Sequence, residues 1–138
     1  MAYILDSGFL YARLNGKDFA HDAVSRVVLD INETVYFPVP AISEVTYLLQ
    51  RDLGYHAVWE FIDELNETNI RLESPVPSDY TRAADVLRNY NDANIDFVDA
   101  CIVAMAERLN IRKVLTIDQR HFRIFRPRHC DSFELLPD

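Results

Sequence analysis

Cysteine is scarce in this chain, with two among 138 residues. Cys101 inside an apolar run and Cys130 further on do not make a disulfide framework. Cys101 reads as core filling rather than chemistry. No apolar run approaches the roughly 20 residues of a membrane-spanning helix. The opening MAYILDSGF lacks the basic flank and long apolar region of a secretion signal, so a cytoplasmic location is expected. Repeats, low-complexity tracts and linkers are absent, and the length fits one domain, 1–138, with a real core. Excess positive charge is missing too. A net charge of −8 argues against a protein that grips nucleic acid over its whole surface.

Hydrophobic periodicity supplies alternating strands and helices. Residues 2–5, 34–39, 70–73 and 113–116 read as short strands. Between them lie helical patterns at 7–15, 18–31, 40–53, 55–66, 78–90 and 94–109, with Gly16 and Gly54 closing two of them and Ser78 capping a third. The tail, RIFRP followed by FELLP, supplies one more edge strand, limited by Pro127 and Pro137. Strands joined by helices require crossover connections, hence a mainly parallel sheet of four or five strands inside a three-layer α/β/α sandwich. Ligands of such sheets bind beyond the carboxyl ends of the strands.

The stretch NIDFVDACIVAMAERL, residues 94–109, carries the sharpest anomaly. From Phe97 to Ala106 every residue is apolar except Asp99. A helix that is apolar on all sides is a buried helix, and an ionised carboxylate there is costly without a partner. Asp96 fits the N-cap, with Asp99 three residues on in a capping-box relation. Three further acids have similar settings. Asp6 follows the strand AYIL, Glu44 sits in AISEVTYLL, and Asp118 follows VLTI. Parallel strands bring Asp6 and Asp118 to one end of the sheet, while Glu44 and Asp99 lie at helix starts that favour carboxylates. Four acids gathered away from water raise one another's pKa, a penalty that a divalent cation removes. An all-oxygen donor set selects Mg²⁺ or Mn²⁺, ions used in phosphoester chemistry.

The basic residues are concentrated. Arg112, Lys113, Arg120, Arg123, Arg126 and Arg128 are six of the fourteen lysines and arginines. Charge alone leaves open a solvated face, a dock for an acidic partner, or a phosphate-contacting surface.

With the acids in hand, the chain resembles the PIN-domain nucleases, and within them the VapC-type toxins of bacterial toxin–antitoxin pairs. The segments that carry the resemblance are ILDSGFLYA, PVPAISEVTYLL, DFVDACIVAMAERL, VLTIDQRHFRIFRP and the closing FELLP. The resemblance implies that Asp6, Glu44, Asp99 and Asp118 occupy acidic catalytic positions, with Asp6, Asp99 and Asp118 holding Mg²⁺ or Mn²⁺. Thr116 matches a hydroxyl that supports the last acid. Ser7 and Asp96 match auxiliary positions, and Arg120, Arg123, Arg126 and Arg128 would contact RNA phosphates. It further implies a homodimer that cuts RNA, leaving a 5′-phosphate and a 3′-hydroxyl, and a cognate antitoxin whose inserted basic residue blocks the acids.

Two rivals compete. One is a metal-dependent small-molecule phosphohydrolase; its haloacid-dehalogenase type also opens with a strand ending in Asp, but requires a second Asp where this chain has Gly8, which leaves phosphohydrolases of another type. A non-catalytic RNA-binding or protein-interaction module on the same fold would not need all four acids. A metal-independent ribonuclease using paired histidines finds no support in the spacing of His21, His56, His121 and His129, which read as surface or phosphate-contacting residues. Phe122 and Phe125 read as packing residues, although an exposed one could stack a base.

Overall fold

A computed structural model describes residues 1–138. Five strands form one sheet: β1 (Tyr3–Leu5), β2 (Val35–Pro38), β3 (Ile70–Glu73), β4 (Lys113–Leu115) and β5 (Glu134–Leu136). Their order is β3-β2-β1-β4-β5, and every neighbouring pair is parallel. β1 is therefore central, with both neighbours in place, and its three residues are buried.

Helices fill the crossovers. α1 (Ser7–Leu14) starts where the Asp6 carboxylate accepts the Ser7 N–H, and α2 (His21–Leu29) begins later than its apolar pattern suggests. Pro40 occupies the short 3-10 turn Val39–Ala41 that leads into α3 (Ile42–Leu53). Gly54, at φ +96°, lets the chain turn directly into α4 (Tyr55–Glu67), a backbone angle that other residues adopt only under strain. α5 (Pro77–Asn89), α6 (Phe97–Leu109) and α7 (Gln119–Ile124) complete the set. α1 packs on α2 and α3, and α3 on α4; α5 packs on α6, which also touches β2. The result is an α/β/α sandwich with helices covering the parallel sheet.

α6 is the buried helix that its sequence demands. Val98 to Ala106 are buried without interruption, Asp99 among them. Asn110 closes the helix in the left-handed conformation, φ 56°. Its exit is pinned by ion pairs to α5. Arg82 makes two hydrogen bonds to Glu107, at 2.8 and 3.0 Å, and Glu107 also accepts the Arg128 backbone N–H at 2.8 Å. Arg108 reaches the buried Asp79 at 3.0 Å and Glu73 at 3.3 Å.

Two local expectations are corrected. Ser78 does not cap α5, because Pro77 already stands at its first position; Asp79 closes the turn by accepting the Val76 N–H at 2.9 Å. RIF belongs to α7 and Phe125 ends it, leaving FELLP alone to form the edge strand. The spacing of Phe122 and Phe125, both with no exposed surface, puts two rings on one side of a short helix.

Candidate functional site

The register of β1 against β4 pairs Leu5 with Leu115, so the next residues, Asp6 and Thr116, leave the sheet together at its carboxyl end. The Asp6 N–H donates to the Leu115 carbonyl at 2.9 Å. Its carboxylate accepts the Ser7 N–H at 2.8 Å and the Thr116 hydroxyl, itself fully buried, at 2.8 Å. Thr116 Oγ1 in turn accepts the Asp118 N–H at 3.0 Å. The threonine expected to support only the last acid therefore fixes the first one as well. From the side, Ser7 Oγ donates to Glu44 Oε1 at 2.7 Å, drawing the first turn of α3 into the group.

α6 contributes from the opposite layer. Asp96 Oδ1 accepts the Asp99 N–H at 2.9 Å, and Asp99 Oδ2 accepts the Asp96 N–H at 3.1 Å, the reciprocal capping box. Asp96 is thus a helix cap, and Asp99 spends one oxygen on the backbone while keeping the other free of protein donors.

The electrostatics show that these acids share one region. Burial pushes the Asp6 carboxyl up to about 6, against the hydrogen bonds from Thr116 and Ser7, and the charges of Glu44 and Asp96 push the same way. Asp99 is raised well above the carboxylate range, first by burial, with Asp96, Asp6 and Asp118 adding their charges; the Asp96 N–H opposes. Each acid is a cost that its neighbours increase.

His121 joins the acids, a position that the spacing of the four histidines does not reveal. It lies one turn after Asp118 on α7, and its Nδ1 stands 3.0 Å from Asp118 Oδ2 and 3.5 Å from Asp99 Oδ2. The available signal was Asp118-x-x-His121 at a helix start, a spacing that puts both on one face. Nδ1 is buried and makes no aligned hydrogen bond.

The arginines divide. Arg126 donates to the carbonyls of Arg123 and Phe125 at 2.8 and 2.9 Å and so ends α7, while Arg123 donates to Gln119 at 3.1 Å. Arg120 and Arg128 are exposed, and their guanidiniums have no protein partner. Phe122 and Phe125 are buried, so neither is open to a base. Exposed rings near the acids are instead Tyr47, which lines a hollow with Ser7 and Glu44, and Phe97, next to Asp96, which stacks nearly parallel on Tyr80 with centroids 6.3 Å apart.

A PIN-domain model matches residues 3–126, a span that includes every residue of this group. The chain belongs to the PIN-domain family. Among PIN proteins, a ribonuclease of Mycobacterium tuberculosis, VapC26, is 28% identical over 134 residues, covering 97% of this chain and 99% of its own length. The crystal structure of M. tuberculosis VapC20, a toxin that cleaves the sarcin–ricin loop, superposes with a TM-score of 0.76 over 81% of this chain and 86% of its own, at 22% identity. VapBC2 of Rickettsia felis, bound to a DNA fragment from its promoter, gives 0.70 over 98% of both chains at 13% identity. These likenesses bear out the PIN-type fold that the resemblance implied and the parallel α/β/α sandwich expected from the strand and helix order.

Whether the residues suit a metal ion is a question of donors and spacing. As the side chains stand, no three of the chain's Asp, Glu, His and Cys residues are grouped to hold a metal ion. Mg²⁺ does not require three: it retains most of its waters and is held by one or two carboxylates. Two carboxyls raised by burial and by neighbouring acids, with Asp118 at their edge and an unsatisfied ring nitrogen facing them, form a donor set that a divalent cation would relieve. The residues fit the group.

Proposed function

We propose that this chain is a divalent-metal-dependent endoribonuclease that hydrolyses phosphodiester bonds in RNA and acts as the toxin of a toxin–antitoxin pair. The observation that carries this reading is the gathering of Asp6, Glu44, Asp99 and Asp118 at the carboxyl end of a parallel sheet, with Asp6 and Asp99 both pushed up in pKa. The ribonuclease and toxin relatives support the substrate class and the biological role.

Asp6, Asp99 and Asp118 are the residues to hold Mg²⁺ or Mn²⁺. The ion supplies a Lewis acid at the phosphate and a more acidic bound water. The chain's own groups do the rest. Thr116 and the Ser7 N–H fix both oxygens of Asp6, and the Asp96 N–H fixes one oxygen of Asp99. Ser7 anchors Glu44 through Oε1, which leaves Oε2 free to accept a proton from an attacking water. Arg120, two residues from Asp118 and without a protein partner, would meet an RNA phosphate, with Arg123 and Arg126 adding positive charge along α7, whereas Arg128 lies beside Glu107 at the far end of α6, away from the acids. Hydrolysis of this type leaves a 5′-phosphate and a 3′-hydroxyl.

The partners in this reading are an RNA substrate, a second copy of the chain, and an antitoxin whose basic side chain neutralises the acids. Cytoplasmic RNA is the target. No helix is long and apolar enough to cross a membrane.

The test is cleavage of defined RNAs with Mn²⁺ or Mg²⁺, compared with a chelator control and with Asp6→Asn and Asp99→Asn. Cleavage is expected only with metal and wild-type acids. A folded Asp99→Asn protein with full activity would overturn the assignment.

A further inference from the structure

We infer that His121 is a nitrogen ligand of this acidic site, making its donor set mixed and tilting it away from Mg²⁺ towards Mn²⁺ and similar transition ions. The inference rests on the metal-dependent reading above and departs from the all-oxygen set expected from sequence.

The ring nitrogen is in an unusual position. Nδ1 is buried, lies 3.0 Å from Asp118 Oδ2 and 3.5 Å from Asp99 Oδ2, and is aligned for a hydrogen bond with neither. A proton on Nδ1 is therefore poorly aimed at both oxygens. A lone pair on Nδ1 faces two carboxylates, an arrangement that repels unless a cation sits between the nitrogen and a carboxylate oxygen. The spacing suits a shared cation. Adjacent ligands of an octahedral ion with bonds of about 2.1 Å stand about 3 Å apart. The Nδ1 to Asp118 Oδ2 distance is 3.0 Å.

The fold holds the imidazole there. His121 shares a face of α7 with Asp118 and precedes Phe122, which is fully buried, as is Phe125. These two rings anchor α7 and so hold the His121 backbone beside the acids. The consequence for ion choice follows from ligand chemistry: Mg²⁺ prefers oxygen, whereas imidazole suits transition ions.

The experiment uses the full chain without an affinity tag. Mn²⁺ bound to the wild-type protein is examined by electron spin-echo modulation, and Mn²⁺ and Mg²⁺ affinities are measured by calorimetry for wild type and His121→Asn. The expected results are ¹⁴N modulation in wild type and none in the variant. The variant should lose about tenfold in Mn²⁺ affinity, with Mg²⁺ affinity within about twofold. Bound Mn²⁺ without nitrogen modulation overturns the inference and leaves the metal-dependent reading standing. So does modulation that persists in His121→Asn, or an equal loss for both ions. Failure of wild type to bind Mn²⁺ at all overturns both.

Discussion

The Thr116 hydroxyl donates to Asp6 Oδ2 at 2.8 Å and accepts the Asp118 N–H at 3.0 Å, so one buried side chain fixes two acids that sit on adjacent strand ends. Replacing it with valine keeps the shape and removes both contacts. Asp6 then loses a hydrogen bond that favours its charged form, and its pKa rises further above about 6. Thr116→Val should therefore shift the acidic limb of the pH–rate profile upward, with rates converging on wild type at high pH. A profile unchanged in shape would show that the hydroxyl does not tune Asp6.

Metal-free stability should fall as the solution becomes more alkaline. Asp6 has an ordinary value of 3.8 and is raised to about 6 in the folded chain, so between these values the native state holds more protons than the unfolded one. Its contribution is full below about 4 and is lost as pH rises through about 6, on the order of 3 kcal/mol. Asp99, raised as well, extends the loss to higher pH. Urea unfolding with a chelator present should show this slope, Asp6→Asn should flatten it, and added Mn²⁺ should stabilise more at pH 8 than at pH 5.

The Arg82–Glu107 pair joins α5 to α6, with side chains only 15% and 9% exposed. Removing one partner strands a buried charge. Glu107→Ala should destabilise by about 3 kcal/mol. It also frees the Arg128 N–H from its 2.8 Å acceptor. Chemical unfolding measures the loss, and Arg82→Met with Glu107→Leu should recover much of it if desolvated charge is the cause.

The arginines should separate by role. Arg120→Ala removes an exposed, unpartnered charge, so RNA binding should weaken and the salt slope fall by about 1 while stability stays unchanged. Arg126→Ala removes the two bonds that end α7 and should cost stability as well as affinity. Fluorescence anisotropy across a salt series, with thermal unfolding in parallel, distinguishes them.

The fold was legible because its elements are locally consistent. Val98 to Ala106 are apolar on every side but one, and β1 is too short and apolar to be anything except a buried strand. The four acids were legible as individual misfits, and the parallel sheet supplied the reason for Asp6 and Asp118 to meet. What was not legible depended on three-dimensional pairing. Asp79 looks like any helix-start acid until Arg108 from α6 is brought over it. His121 looks like part of a basic tail until α7 turns it back onto Asp118 and Asp99. The role of Thr116 towards Asp6 needs the β1–β4 register, which no local pattern encodes.

That register also sets an order of events. β1 is the centre of the sheet, yet one of its two neighbours lies far down the chain, and the Asp6–Thr116 bond spans 110 residues. Closing so long a loop is entropically late. Before β4 docks, one edge of β1 is open and Asp6 has neither the Thr116 hydroxyl nor the Asp118 and His121 neighbours. A partly folded chain, even with its first four helices in place, therefore has no assembled site. Docking of β4 on β1 and acquisition of the acidic group are one event, and no intermediate lacking β4 can carry the activity.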